Sequence, residues 1–323
     1  MTRSRLRLLA ALTLLTATVP APAGILTATS TANNSPYPSF LVTFDTSNPG
    51  TLLSSVVVTG ADVGTPATGN PNGQQFIISG IDYRPSTGQL YGLGWRSGFE
   101  QRVYTIDAAG TATGVGNPFY PASSAGFNFD PVRDTIRLTS DQGGNQRFNP
   151  TTGIISSDNS LAYAAGDPNA GVTPKVSSVS YANHVPGAAA TTLYGIDARG
   201  TGTLVVVGTP GSATSADGGQ LHTVGPLNLS FAIPINSPVA FEIDPFTGSA
   251  YAAIEPAAGA PSHLFSVDLA TGTATDLGQI GPNGTLPIWG LTVVPEPGTL
   301  ALAGAGLAGA VGWSRRRRTA RRS

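Results

Sequence analysis

Three side chains able to carry charge or bind a cation recur at one place in a repeated phrase. Residues 80–94 read GIDYRPSTGQLYGLG, residues 126–137 read GFNFDPVRDTIR and residues 240–251 read AFEIDPFTGSAY, which aligns Asp82, Asn128 and Glu242. In each copy this residue alternates with apolar neighbours, so on a strand it points away from the core side. Copies arranged about an axis would bring these groups together, where carboxylates raise each other's pKa or take up Ca²⁺. Solvated positions on a rim are the plainer reading of the same pattern. A second acidic series, Asp107, Asp197 and Asp268, ends an apolar strand at one fixed place in the repeat. A carboxylate there accepts backbone N–H groups about two residues on and shapes a turn.

The remaining chemistry is sparse. The stretch 158–169 contains Asp158 and Asp167-Pro168-Asn169, with Asp141 and Asn145 close in sequence. It is a candidate exposed recognition or calcium loop, although the alternating acidic spacing of an EF-hand is missing. His184, His222 and His263 fall in separate repeats with no second histidine at ligand spacing, which favours surface or strand-end positions over zinc ligation. No G-x-S-x-G elbow occurs, and Gly143-Gly144 and Gly218-Gly219 lack the lysine of a phosphate loop, so they are turns. Cysteine is absent, which removes disulfides and thiolate chemistry. Tyr91, Trp95 and Phe99 could offer a sugar-stacking surface, with Trp95 more simply capping its unit. No catalytic constellation emerges.

The elements that must position these residues are strands. In each copy of the phrase, strand-type residues flank a Pro and turn residues: Pro85 and Gly88, Pro131, and Pro245 with Gly248. A second hairpin follows, as in 103–116 and 264–278. Units of about four short strands at forty-odd residues predict an all-β, β-propeller-like ring. The composition agrees, with 41 Gly, 26 Pro and only 11% charged residues. Residues 40–59 look like the second half of a unit, and residues 287–295 align with its opening strand, with Leu291 on Ile81 and Pro295 on Pro85. Pairing the two ends closes a ring of about five blades and removes its open edges. Six blades, or a twisted β-sandwich of the same hairpins, are the alternatives. Residues 24–39 are small and polar and are expected to be a flexible leader.

Both ends differ from this body. Residues 1–23 carry Arg3, Arg5 and Arg7, an apolar run over 8–19 and small residues at 21–23, the layout of a signal peptide read by signal peptidase. Over 24–295 there are eight basic and 17 acidic residues, a net of −9. Such a body is unsuited to nucleic acid, whose phosphates need a basic surface. After Val294-Pro295-Glu296-Pro297 comes an uncharged segment including Thr299, Leu300, Leu302, Leu307, Val311 and Trp313, then Arg315, Arg316, Arg317 and Arg318. Its sixteen residues from 298 to 313 make about 24 Å of helix, a short membrane anchor with a basic cytoplasmic end.

That three-part tail resembles the PEP-CTERM sorting signal of Gram-negative bacteria. The resemblance implies recognition by an exosortase-type membrane protease, cleavage near Pro295-Glu296-Pro297 after transient membrane anchoring, and delivery to the cell surface or medium. The body, through Gly126-Phe127-Asn128-Phe129-Asp130-Pro131, Arg147-Phe148-Asn149-Pro150, the run 161–167 and Thr192-Leu193-Tyr194-Gly195-Ile196-Asp197, resembles the bacterial domain of unknown function 4394 from about residue 40 to 294. That resemblance implies a propeller-like domain and no activity. The expectation is an exported surface or extracellular-matrix protein with a non-catalytic binding or structural role, in which exopolysaccharide is a possible partner. The alternative is a glycan hydrolase or lyase using axial carboxylates.

Overall fold

The computed structural model describes residues 24–31, 38–60, 62–63, 75–96, 100–120, 126–212, 214–282 and 287–294. The signal-peptide segment, the sorting residues Pro295, Glu296 and Pro297, the anchor and the arginine cluster lie outside them. So does Phe99.

Five small sheets form a five-bladed β-propeller. The first blade contains β1 (Ile25–Thr31), β2 (Ser39–Asp45) and β3 (Asn48–Val57). The second has β4 (Thr59–Gly60), β5 (Ile77–Tyr83), β6 (Leu90–Arg96), β7 (Glu100–Ile106) and β8 (Thr111–Phe119). The third has β9 (Gly126–Asp130), β10 (Thr135–Thr139), β11 (Asn145–Phe148) and β12 (Ile155–Ser157). The fourth has β13 (Ala162–Tyr163), β14 (Val176–Tyr181), β15 (Leu193–Asp197), β16 (Thr203–Val207) and β17 (Gln220–Pro226). The fifth has β18 (Val239–Ile243), β19 (Ala250–Ile254), β20 (His263–Val267) and β21 (Ala274–Gln279). The last strand, β22 (Ile288–Val293), returns to the first blade, whose order is β22-β1-β2-β3.

Each blade is an antiparallel meander because short turns join its strands, and the turn chemistry is visible. Gly88 and Gly248 take positive φ, 69° and 73°, after the Pro of their hairpins, a conformation open to glycine. Two blades gain a fifth, parallel edge strand: β4 on β8 and β13 on β17. β13 comes from the stretch 158–169, which reads as a loop in the sequence, and β4 follows directly on β3.

Closure corrects one expectation. The stretch taken as a flexible leader contains β1, which pairs with β2 on one side and β22 on the other, Thr29 facing Leu41 and Gly290. From Thr27 on its residues are small but buried; Thr29 and Ser30 are fully covered. Small side chains suit the middle of a blade, where both faces press on neighbouring blades. The first blade thus has four strands, with β22 innermost.

The innermost strands β22, β5, β9, β14 and β18 touch in a closed cycle. Apolar side chains collect between successive blades. Phe76, Ile78 and Leu41 join the first to the second, Phe127, Phe129 and Leu93 the second to the third, and Phe241, Ile254 and Leu204 the fourth to the fifth. At the axis the inner strands approach closely. A Cβ on Gly290 would lie 2.8 Å from the Ile81 nitrogen and 2.9 Å from the Gly80 Cα, so only glycine fits there.

Candidate functional site

The axis is organised by one strand position. In β5, β9, β14, β18 and β22 it is occupied by Asp82, Asn128, Ser180, Glu242 and Thr292, each at most 1% exposed. The five side chains are wired blade to blade. The amide of Phe129 donates to Asp82 Oδ2 (2.7 Å), that of Tyr181 to Asn128 Oδ1 (2.9 Å) and that of Ile243 to Ser180 Oγ (3.0 Å). Glu242 accepts from the amide of Val293. Thr292 Oγ1 donates to Asp82 Oδ1 (3.1 Å) and completes the circuit. Four of the axial residues therefore satisfy a backbone amide of the next blade and Thr292 bonds the Asp82 side chain, a structural use for every one of them. The sequence brings Asp82, Asn128 and Glu242 together as the axial reading requires, and their burial corrects the solvated-rim alternative.

Within this belt Glu242 also accepts hydrogen bonds from Asn128 Nδ2 (3.3 Å) and Ser180 Oγ (3.2 Å). Burial, and then the nearby Asp82 charge, push its carboxyl well above the ordinary glutamate range. His184 joins the cluster. It sits in the turn after β14, where Asn183 takes a φ of 55°, and its Nε2 lies 3.2 Å from Asp82 Oδ2. At 8% exposure His184 is neither a surface nor a strand-end histidine, which corrects that expectation. The sequence held one signal for it. Ala182-Asn183-His184 stands where the other repeats carry a proline turn, and the φ of 55° at Asn183 is one that proline cannot adopt. His222 is exposed, and His263 pairs with Asp276 at 3.0 Å near the blade edge.

The acidic loop does not join the axis. Asp158 pairs with Arg137 and Arg147, both at 2.6 Å. Asp167 accepts from the amides of Asn169 (2.8 Å) and Thr223 (2.7 Å) and from the Thr223 hydroxyl (2.8 Å). Those bonds outweigh the effect of burial and hold its pKa below the ordinary value. Both carboxylates are engaged as fastenings. Asp107 and Asp268 accept turn amides, from Ala109 and Thr111 and from Ala270. Asp197 is buried and binds Arg199 (2.7 Å) and the Tyr163 hydroxyl (2.6 Å).

A cavity of about 670 Å³ opens at the end of the ring where the inner strands begin. Its wall includes Trp95, Trp289, Ser79, Ser177, Lys175 and Arg199, with the exposed Ile235 at one side. Ser79, Ser177 and Trp289 occupy equivalent places, each beside a break in strand register: between Ile78 and Gly80, between Val176 and Ser178, and opposite Thr29 and Ser30. A bulge turns one side chain out of the alternation, and here three bulges present side chains to the cavity. None of the five axial residues lines it. Trp95 and Trp289 are half-buried, and Trp289 Nε1 donates to Thr31 Oγ1 (3.3 Å). Tyr91, by contrast, is buried against Phe129 with ring centroids 5.1 Å apart, so it is no sugar platform. Trp289 and the bulges were missed in the sequence, because a register break leaves no compositional mark.

Known proteins place this geometry in context. Among solved structures, a Bacteroides thetaiotaomicron protein of unknown function is 12% identical with a TM-score of 0.45, over 82% of this chain and 68% of that one. Myxococcus xanthus glutaminyl cyclase is 10% identical with a TM-score of 0.41, over 84% and 97%. An engineered GH43 glycoside hydrolase is 12% identical with a TM-score of 0.48, over 82% and 52%. At these values the likenesses say nothing about activity. No curated protein matches the chain. A PEP-CTERM protein-sorting motif matches residues 293–318 and implies export, processing by an exosortase, which is a membrane protease, and sorting to the cell surface. Among the described residues no helix is long and apolar enough to cross a membrane. The body matches the domain of unknown function DUF4394 over residues 40–292, and the chain belongs to that family.

Proposed function

We propose that this exported propeller is a non-catalytic binding protein of the cell surface or extracellular matrix, and that the cavity at the head of the axis holds a segment of exopolysaccharide. The observation that carries this reading is the pair of half-buried tryptophans, Trp95 and Trp289, on the wall of one cavity. Indole faces offer the apolar, rigid surface on which sugar rings stack, with polar groups beside them to fix orientation. Lys175, Arg199 and Asp141 stand on the same wall and supply polar groups beside the indoles.

Hydrolysis is the less favoured reading. A glycosidase needs two carboxyl groups flanking the scissile bond. Asp82 and Glu242 are buried, bonded into the belt and absent from the cavity wall. The membrane segment that includes Thr299, Leu300, Leu302, Leu307, Val311 and Trp313 would hold the chain at the inner membrane until cleavage, with Arg315 to Arg318 on the cytoplasmic side. Val294 donates its amide to the Ile25 carbonyl (3.1 Å), so the closing strand leads directly into Pro295-Glu296-Pro297.

A glycan array probed with the wild type and with Trp95→Ala and Trp289→Ala variants tests the reading. Binding to a defined set of oligosaccharides, lost in both variants while their unfolding midpoints stay within a few degrees, supports it. Binding that survives both substitutions, or no binding to any bacterial exopolysaccharide fragment, refutes it.

A further inference from the structure

We propose that Asp82, Glu242 and His184 form a site for one divalent transition-metal ion of the zinc class, which clamps three blades together on the axis. One ligand atom from each of the three residues can be chosen so that all lie within 4.8 Å of one another. The ligands come from different blades: Asp82 from β5, His184 from the turn after β14, and Glu242 from β18.

Three independent features point to a cation. First, His184 is more than nine-tenths buried, and its Nε2, 3.2 Å from Asp82 Oδ2, is left without a hydrogen bond. A buried ring nitrogen in that state beside a carboxylate is costly unless a third group satisfies both. Second, the spacing is near that of a metal site. Tetrahedral ligands about 2.1 Å from Zn²⁺ lie roughly 3.4 Å apart; the His184–Asp82 pair, at 3.2 Å, is already close to that value, and the Glu242 oxygen, within 4.8 Å of both, needs only a small approach. Third, of the other buried aspartates Asp130 has Arg133, Asp158 has Arg137 and Asp197 has Arg199, while Asp244 is spent on the Phe246 amide and the Thr247 hydroxyl of its own turn. The axial pair has none among the described residues. Among the described residues its partners are backbone amides, hydroxyls, an amide side chain and His184. Two carboxylates without an arginine or lysine are the arrangement that an ion of charge +2 neutralises.

The donor set selects the class of metal. Ca²⁺ takes six to eight oxygens in a roomy shell. Here one donor is an imidazole nitrogen, which suits zinc and its neighbours in the first transition series. Asn128 and Ser180 do not ligate. They hold Glu242 by hydrogen bonds, as outer partners of a metal ligand commonly do. The twist of the chain at Asn183 has a purpose in this account. An asparagine tolerates the left-handed conformation that turns His184 back over the axis.

The test uses the full chain, stripped with a chelator and then titrated by calorimetry with Zn²⁺ and separately with Ca²⁺. His184→Gln removes one ligand and leaves the Phe129–Asp82 bond untouched. The expected result is one Zn²⁺ per chain, Ca²⁺ binding at least about 100-fold weaker, and Zn²⁺ affinity in His184→Gln reduced by about 100-fold or more. The proposal is overturned if the folded wild type takes up no Zn²⁺. It is equally overturned if Ca²⁺ binds as tightly, or if His184→Gln binds Zn²⁺ like the wild type. Should His184→Gln fail to fold, Co²⁺ bound to the wild type decides by NMR. Paramagnetically shifted imidazole protons support the site, and their absence from a Co²⁺-loaded protein refutes it.

Discussion

Replacing Arg137 by methionine probes how the third and fourth blades are held. Arg137 is fully buried at this interface. Its guanidinium contacts Asp158 (2.6 Å), Asp217 (2.7 Å) and Asn145 Oδ1 (2.8 Å). Removing one member of a buried ion pair costs about 3–5 kcal/mol, because a carboxylate is left without its partner. The network here is redundant. Asp158 keeps Arg147 at 2.6 Å, and Asp217 keeps Arg133 at 2.8 Å. Methionine also fills much of the vacated volume, so the lower end applies, about 3 kcal/mol. At about 2–4 °C per kcal/mol for a domain of this size, the melting point falls by about 6–12 °C. Urea unfolding followed by circular dichroism measures the loss. A double-mutant cycle with Asp158→Asn isolates the pair, with an expected coupling of at least about 1 kcal/mol. A loss under about 1 kcal/mol, the range of exposed ion pairs, would refute the claim that these charges act as a buried fastening.

Other consequences follow from particular contacts. Gly290→Ala should destabilise by about 1–3 kcal/mol, since its Cβ would meet the backbone of Gly80 and Ile81, and calorimetric melting measures this. Thr29→Pro should cost about 3 kcal/mol or more, because β1 bonds on both sides and a proline removes a ladder donor; wild-type melting in that variant would mean that β1 does not close the ring. Acid should weaken the fold. Burial alone would raise the Asp217 carboxyl, but hydrogen bonds from Arg137 and Arg133 outweigh it, and Arg84 and Ser86 do the same for Asp134. Both native pKa values lie below the ordinary 3.8, so their stabilisation is complete above about pH 4 and disappears as pH falls through the lowered values. Unfolding midpoints measured from pH 6 to pH 2 check this, and a flat profile below pH 4 would contradict it.

Much of the ring was legible because a propeller repeats its turn chemistry. The Pro and Gly positions of three hairpins, and a terminal strand matching the first strand of a unit, are enough to count blades and to close them. What escaped did so for physical reasons. The β1 sequence ILTATST has large apolar residues only at Ile25 and Leu26 and is small from Thr27 on, since a strand pressed between two blades needs small side chains more than hydrophobic ones. Ser180 and Thr292 were invisible as axial residues because their hydroxyls carry no charge to mark them: Ser180 accepts a backbone amide as Asp82 does, and Thr292 donates to Asp82. His184 reaches the axis through one unusual turn, and Trp289 faces the cavity through a bulge; neither is written in hydrophobic periodicity. The acidic loop misled for the opposite reason. Asp158 looks available in sequence, but its partners Arg137 and Arg147 are brought to it by neighbouring strands.

The central claim is that this exported propeller holds a polysaccharide at the mouth of its axis without cleaving it. The most direct measurement is calorimetric titration of the full chain with purified oligosaccharides from the exopolysaccharide of its host, with mass spectrometry of the sugar afterwards. The account predicts saturable binding to one site per chain, abolished by Trp289→Ala, with every oligosaccharide recovered at its original length. Shortened oligosaccharides, or binding undiminished in Trp289→Ala, would contradict it.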